Sequence, residues 1–229
     1  MSSPYISAWM ANRTSSFTGS LTTASITAAP FSTSPRRGRP REFDIDAALD
    51  KSARVFRERG YHATSIADLT QATELASGSV YKAFKDKRAV FLAAFDREGR
   101  TRREKLQRAL NMAKSGRDRI RIVLKFFAES SHGVEGKRGC LVVGAAAELT
   151  TFDAGVARRV TAALRRTETL VGDLIRQGQA DGSIPADIDS RVTARLMLCL
   201  LQGMRVIGKT GRTRAEMVAV AETAMKLLG

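Results

Sequence analysis

The sequence predicts an all-α protein, and three observations carry that reading. Beyond residue 44, apolar residues recur every three or four positions, as they do along one face of a helix. No stretch alternates apolar and polar residues as a half-buried strand would. Aromatic residues make up only 6% of the chain while Ala, Leu and Arg abound, a composition suited to helices.

From Ile45, apolar Leu49, Ala53 and Phe56 alternate with Asp50, Lys51, Arg54 and Arg57, giving an amphipathic helix of about 15 residues. Asp44 is its expected N-cap and Gly60 its stop. A second helix starts at Thr64 or Ser65, either of which can cap it. Asp68, three past Ser65, fits a capping box, and Ile66, Leu69 and Thr73 face inward. After a break at Glu74-Leu75-Ala76, a third helix is expected over about residues 77–84, with Val80 and Phe84 inward. Asp86 caps a long fourth helix carrying Val90, Phe91, Ala94 and Phe95. Further helices are expected over 117–131, 141–149, 156–178, 188–208 and 215–228. Gly133-Val134-Glu135-Gly136 and the loop 181–185 read as breaks between them.

Composition narrows the function classes. The formal charge of +15 suits a polyanionic partner. The longest apolar runs reach only six or seven residues where a membrane span needs about 20, so no membrane-spanning helix is expected. Cys140, Cys199, His62 and His132 are too few for a disulfide framework or a zinc site, so no metal or cofactor is expected and the thiols suit a reducing cytoplasm. No paired His/Cys arrangement, nucleophile motif or phosphate loop is present; no catalytic residue is expected, and a helical enzyme is the weakest alternative.

Residues 1–35 stand apart, with fifteen Ser or Thr, no acid and Arg13 as the only base. They lack the apolar stretch of a secretory signal, and so little apolar surface predicts a disordered extension. The run Arg36-Arg37-Gly38-Arg39-Pro40-Arg41 abuts the first helix. It reads either as a solvated tail or as an arm, with Arg39 and Arg41 in or near a DNA minor groove.

Two short helices joined by a tight turn after a basic stretch form a helix-turn-helix arrangement, which fits because a helix is about as wide as the B-DNA major groove. The order of residues is more specific than the shape. Gly60-Tyr61-His62-Ala63-Thr64-Ser65-Ile66-Ala67-Asp68-Leu69, followed by Gly78-Ser79-Val80-Tyr81-Lys82-Ala83-Phe84-Lys85-Asp86-Lys87, resembles the tetracycline-repressor (TetR/AcrR) family of bacterial regulators. The resemblance covers about 50 residues and implies a three-helix DNA-binding domain over 36–95, followed by a helical effector-binding and dimerisation domain over 96–229. By position it implies groove-facing Ser77, Ser79 and Lys82 and phosphate-contacting Thr64, Tyr81 and Lys87; Gly78 would let the helix backbone approach DNA. Two positions depart from the pattern: Glu74 stands where the turn usually has Gly, and Ala76 where Ser or Thr is usual. Glu in a left-handed turn is strained relative to Gly, and Ala caps poorly.

The resemblance also implies a homodimer on a pseudopalindromic double-stranded operator, a small-molecule effector of open class, and a cytoplasmic, nucleoid-associated location. The competing reading is an architectural DNA-binding protein without an effector. The segment 188–208 is apolar on nearly every side and needs covering twice. Val192, Leu196, Leu200 and Gly203, with Met217, Val220 and Ala224 of the last helix, are the expected dimer interface. Phe126, Phe127, Leu141, Val142, Phe152, Leu170 and Leu174 are candidate walls of an effector pocket, and Glu148, alone in an apolar run, a candidate to orient the ligand. Eight bases between Arg102 and Arg121 either extend the DNA footprint, attract an anionic effector, or form an exposed basic face.

Overall fold

A computed structural model of the chain describes residues 44–75, 78 and 82–229. The Ser/Thr-rich extension, Arg39, Arg41, Ser77, Ser79 and Tyr81 lie outside the described residues. Within them the structure is helical and without strands.

Asp44 accepts the N–H groups of Asp46 and Ala47 and caps α1 (Ile45–Arg59), which Gly60 stops at φ +82°. Ser65, not Thr64, caps α2 (Ile66–Thr73), completing a reciprocal capping box with Asp68. Asp86 caps α3 (Lys87–Leu110), a 24-residue helix that continues through Phe95 and Asp96 without a break. Then follow α4 (Gly116–Glu129), α5 (Gly133–Arg138), α6 (Leu141–Glu148), α7 (Ala154–Ala180), α8 (Ser190–Ile207) and α9 (Arg214–Ala224). Short 3-10 turns at Gly208–Thr210 and Met225–Leu228 end the last two.

The glycine-containing break expected at 133–136 is instead the helical turn α5. Gly136 and Gly208 both lie against the backbone of Ser131, and packing this close overrides the poor helix propensity of glycine. Helices α4 and α7 cross in the same way: a Cβ on Gly116 would run into the backbone of Gly178.

Two apolar cores hold the elements. The first joins Leu49, Ala53 and Phe56 of α1, Leu69 of α2 and Val90 to Phe95 of α3 with Leu141 and Ala145 of α6 and Val156 of α7. The second packs Ile120 and Leu124 of α4, Val171 and Ile175 of α7, Met197 and Leu201 of α8 and Met217 of α9. Each fully buried side chain of this size contributes about 1.5–3 kcal/mol, against about 0–1 kcal/mol for a surface ion pair. The arginine–carboxylate pairs between helices therefore set geometry more than stability. Arg97 of α3 is such a pair, reaching Asp46 at 2.7 Å and Asp50 at 2.8 Å on α1.

Candidate nucleic-acid interface

The turn after α2 is a Schellman motif: the N–H of Glu74 reaches Gln71 O and that of Leu75 reaches Thr70 O. Glu74 holds φ +60°, the left-handed value the sequence requires of it, and is the one non-glycine with positive φ among the described residues. Its carboxylate accepts from Lys51 Nζ at 2.8 Å, and this bond keeps its pKa below the usual glutamate range. Glu74 thereby ties the turn back to α1. Beyond it, Gly78 and Lys82 are helical and exposed, and a Cβ at Gly78 would meet nothing within 4 Å. The face expected to meet DNA is open at both described positions.

The loop between α1 and α2 is clamped from three sides. Tyr61 stacks on Phe56, with ring centroids 6.1 Å apart, and meets Phe91 edge-on at 5.2 Å. Burial and the nearby acids raise its phenol above the usual tyrosine pKa. Lys87 lies 4.4 Å above the Tyr61 ring and donates to the carbonyls of Tyr61 at 3.0 Å and Thr64 at 2.8 Å. Its ammonium is thus committed to the loop. Thr64 is 1% exposed and donates its hydroxyl to Gly60 O at 2.6 Å. Thr64 therefore braces the loop from within, a correction to the phosphate-contacting role the sequence suggested, and half-buried Lys87 is held against the same loop.

Glu148 closes the third side. Placed at the end of α6, it accepts the N–H groups of Tyr61 at 2.9 Å and His62 at 3.3 Å. Its carboxylate approaches so closely that a Cβ on Gly60 would come within 2.9 Å of Oε2, so Gly60 is required for space as well as for φ. Glu148 lines a small cavity of about 220 Å³ beside Gly60 and Tyr61, and there it fastens the helix-turn-helix unit to the larger helical body. Arg57 makes a second fastening, donating to Gly139 O at 3.0 Å and Glu135 Oε2 at 2.9 Å. Arg88 with Asp153 at 2.8 Å makes a third, and this bond holds the Asp153 carboxyl well below the usual aspartate range.

Within the body, a cavity of about 820 Å³ lies between α3, α4 and α7. Phe126, Phe127, Leu141, Val142 and Leu170 line it, as their apolar spacing suggested. Leu174 instead lies in the second core at 4% exposure: one turn beyond Leu170 on the same face of α7, it is covered by that core, against which Leu170 is only partly buried. Phe152 is 83% exposed in the turn before α7 and walls nothing. The lining that sequence reasoning missed is cationic, with Arg102 among the aromatics. The signal was present in the basic stretch from Arg102 onward, but periodicity alone could not turn one of those arginines inward.

Helix α8 shows a bare apolar stripe. Val192 is 61% and Leu196 46% exposed, and the stripe continues through part-buried Leu200 and Gly203 to exposed Val206 and, on α9, Val220. Met217 and Ala224, expected beside them, are buried in the chain's own core, since they occupy the side of α9 that faces α4 and α8.

Comparison with known proteins matches both parts of this architecture. Residues 48–94 match the family described as bacterial regulatory proteins, tetR family, and residues 116–224 match the tetracyclin repressor-like C-terminal domain. The HTH-type transcriptional repressor ComR of Escherichia coli K12 is 29% identical over 192 residues, 83% of this chain and 91% of that protein. DhaR, an HTH-type transcriptional repressor of Mycobacterium sp. strain GP1, is 26% identical over 171 residues, 72% of this chain and 82% of its own. A cysteine-substituted form of the regulator CifR, solved with 26-bp double-strand operator DNA, superposes with a TM-score of 0.73 at 33% identity, spanning 82% of this chain and 98% of CifR. Alike in sequence and in fold, the chain belongs to the TetR family of transcriptional regulators.

Proposed function

We propose that the protein is a homodimeric, sequence-specific repressor whose grip on a pseudopalindromic operator is released by a small-molecule effector. The observation that carries this reading is the clamped helix-turn-helix. The loop that precedes exposed Gly78 and Lys82 is tied, through Glu148 and Arg57, to helices that also wall the cavity. A ligand that shifts α6 or α3 therefore shifts the reading head, and its differential affinity for the two arrangements supplies the coupling. Lys82 and the segment around it read base edges; Lys87 and Thr64 hold the loop that sets their angle. The bare stripe of α8 and α9 pairs with its symmetry mate and presents two reading heads to two half-sites.

An architectural DNA-bending protein explains the charge but has no use for an 820 Å³ cavity or for fastenings that connect it to the DNA-binding helices. The protein acts at the chromosome, in the cytoplasm. The test is a gel-shift series with selected chromosomal fragments at rising salt: specific complexes should persist over competitor DNA and weaken steeply as counterion release loses its advantage. Absence of binding at low salt would end the reading.

A further inference from the structure

We propose that the cavity takes an amphipathic carboxylate, its apolar body against Phe126, Phe127, Leu164 and Leu170 and its carboxylate paired with Arg102; this rests on the effector-regulated reading above. The cavity is of the size that binds small ligands, about 300–1,000 Å³, and its inner walls are aliphatic and aromatic. Its charge is unbalanced. Arg100, Arg102, Arg103, Arg165 and Arg166 all line it, and none lies within 4 Å of a carboxylate among the described residues. The two acids at its edge are already engaged elsewhere: Asp96 by Arg159 at 3.1 Å, and Asp173 by Arg176.

Four of the five arginines are exposed at the mouth, where they attract an anion. Arg102 alone reaches inside. Its guanidinium sits 5.0 Å from the Phe126 ring and 5.8 Å from that of Phe127, and it makes a single long side-chain bond, 3.3 Å to Ser130 Oγ. Most of its five donors have no protein partner among the described residues. Loss of hydration lowers the Arg102 pKa, as expected of a cation its surroundings do not fully compensate. Glu98, the one acid deep in the lining, sits beside Arg57 at 3.9 Å; it attracts Arg102 through space but makes no hydrogen bond to it, and burial raises its carboxyl pKa towards the neutral form. A cationic ligand meets repulsion here, and a neutral one leaves the guanidinium unpaired. One inward fork matches the two oxygens of one carboxylate.

The test is calorimetric titration of the full chain with decanoate, decan-1-ol, decyltrimethylammonium and decyl sulfate, each below its micellar concentration. Decanoate should bind at least tenfold more tightly than decan-1-ol, and decyltrimethylammonium should not bind. Arg102→Gln should weaken decanoate tenfold or more while leaving decan-1-ol within twofold, and Arg102→Lys should recover part of the loss. Equal affinity for decanoate and decan-1-ol, or an Arg102→Gln variant that holds decanoate as well as the parent, would overturn the proposal. Decyl sulfate bound as tightly as decanoate would overturn the choice of carboxylate. If circular dichroism shows Arg102→Gln unfolded, the head-group series on the parent decides alone. Operator binding is measured in parallel without ligand. A protein that binds its operator but none of the decyl probes refutes the carboxylate and leaves the regulator standing; one that binds no DNA refutes the reading on which both depend.

Discussion

Glu148→Ala removes the most informative single contact in the molecule. The carboxylate accepts two backbone N–H groups, at 2.9 Å and 3.3 Å, from a loop 86 and 87 residues earlier. A hydrogen bond to a charged acceptor contributes about 1.5–3 kcal/mol. The longer bond adds little, so the loss is about 2 kcal/mol. In a domain of this size each kcal/mol moves Tm by about 2–4 °C, and the variant should melt about 4–8 °C lower. Glu148→Gln keeps an acceptor oxygen but not its charge, and should lose about half as much. Gly60→Ala attacks the same contact from the other side, through a positive φ and a Cβ directed at the carboxylate. The double variant Gly60→Ala/Glu148→Ala should therefore cost clearly less than the sum of the singles. Calorimetry gives the Tm values, and hydrogen exchange at the Tyr61 and His62 amides localises the effect. A melt within about 1 °C of the parent, with both amides still protected, would refute the latch.

Other consequences follow from the same geometry. Lys82→Ala should alter preference among bases in a fragment-selection assay, whereas Lys87→Ala should lower Tm and weaken all sequences alike, since it frees the loop carbonyls of Tyr61 and Thr64. Leu196→Glu should give folded monomers by light scattering, while Met217→Glu, at a position 3% exposed, should unfold the chain; folded dimers from both would mean that another surface pairs. Burial raises the Glu98 pKa, against the attraction of Arg57, Arg102 and Arg205. A carboxyl raised on folding contributes stability at low pH that is lost as pH climbs through its folded pKa, so Glu98→Gln should gain Tm on the parent as pH rises above the ordinary glutamate range. A gain that shrinks over that rise would contradict the sign.

Helices and caps were largely legible, because they depend on local patterns: Asp44, Ser65 and Asp86 each cap the helix their position suggested. What the sequence left open was which of several similar groups faces which neighbour. Thr64 and Ser65 are both competent caps, and the choice falls to Ser65 because the Thr64 hydroxyl finds Gly60 O. Met217 and Val220 are equally apolar, and only the packing of α9 on α4 and α8 decides which is buried. Glu148 in an apolar run signalled a special role, but its partners lie in a loop far earlier in the chain, beyond the reach of local spacing. Glu74 is the reverse case. Its strain was visible in the sequence, while the lysine that ties it down lies 23 residues away on α1.

Selection of chromosomal fragments by the purified full-length protein, with footprinting of the recovered sites, tests the central claim most directly. Two recognition elements related by a two-fold axis should recover one short pseudopalindrome, protected in two half-sites on the same face of the duplex, with affinity falling steeply as salt rises. Fragments recovered in proportion to their input, with no shared motif, would contradict it.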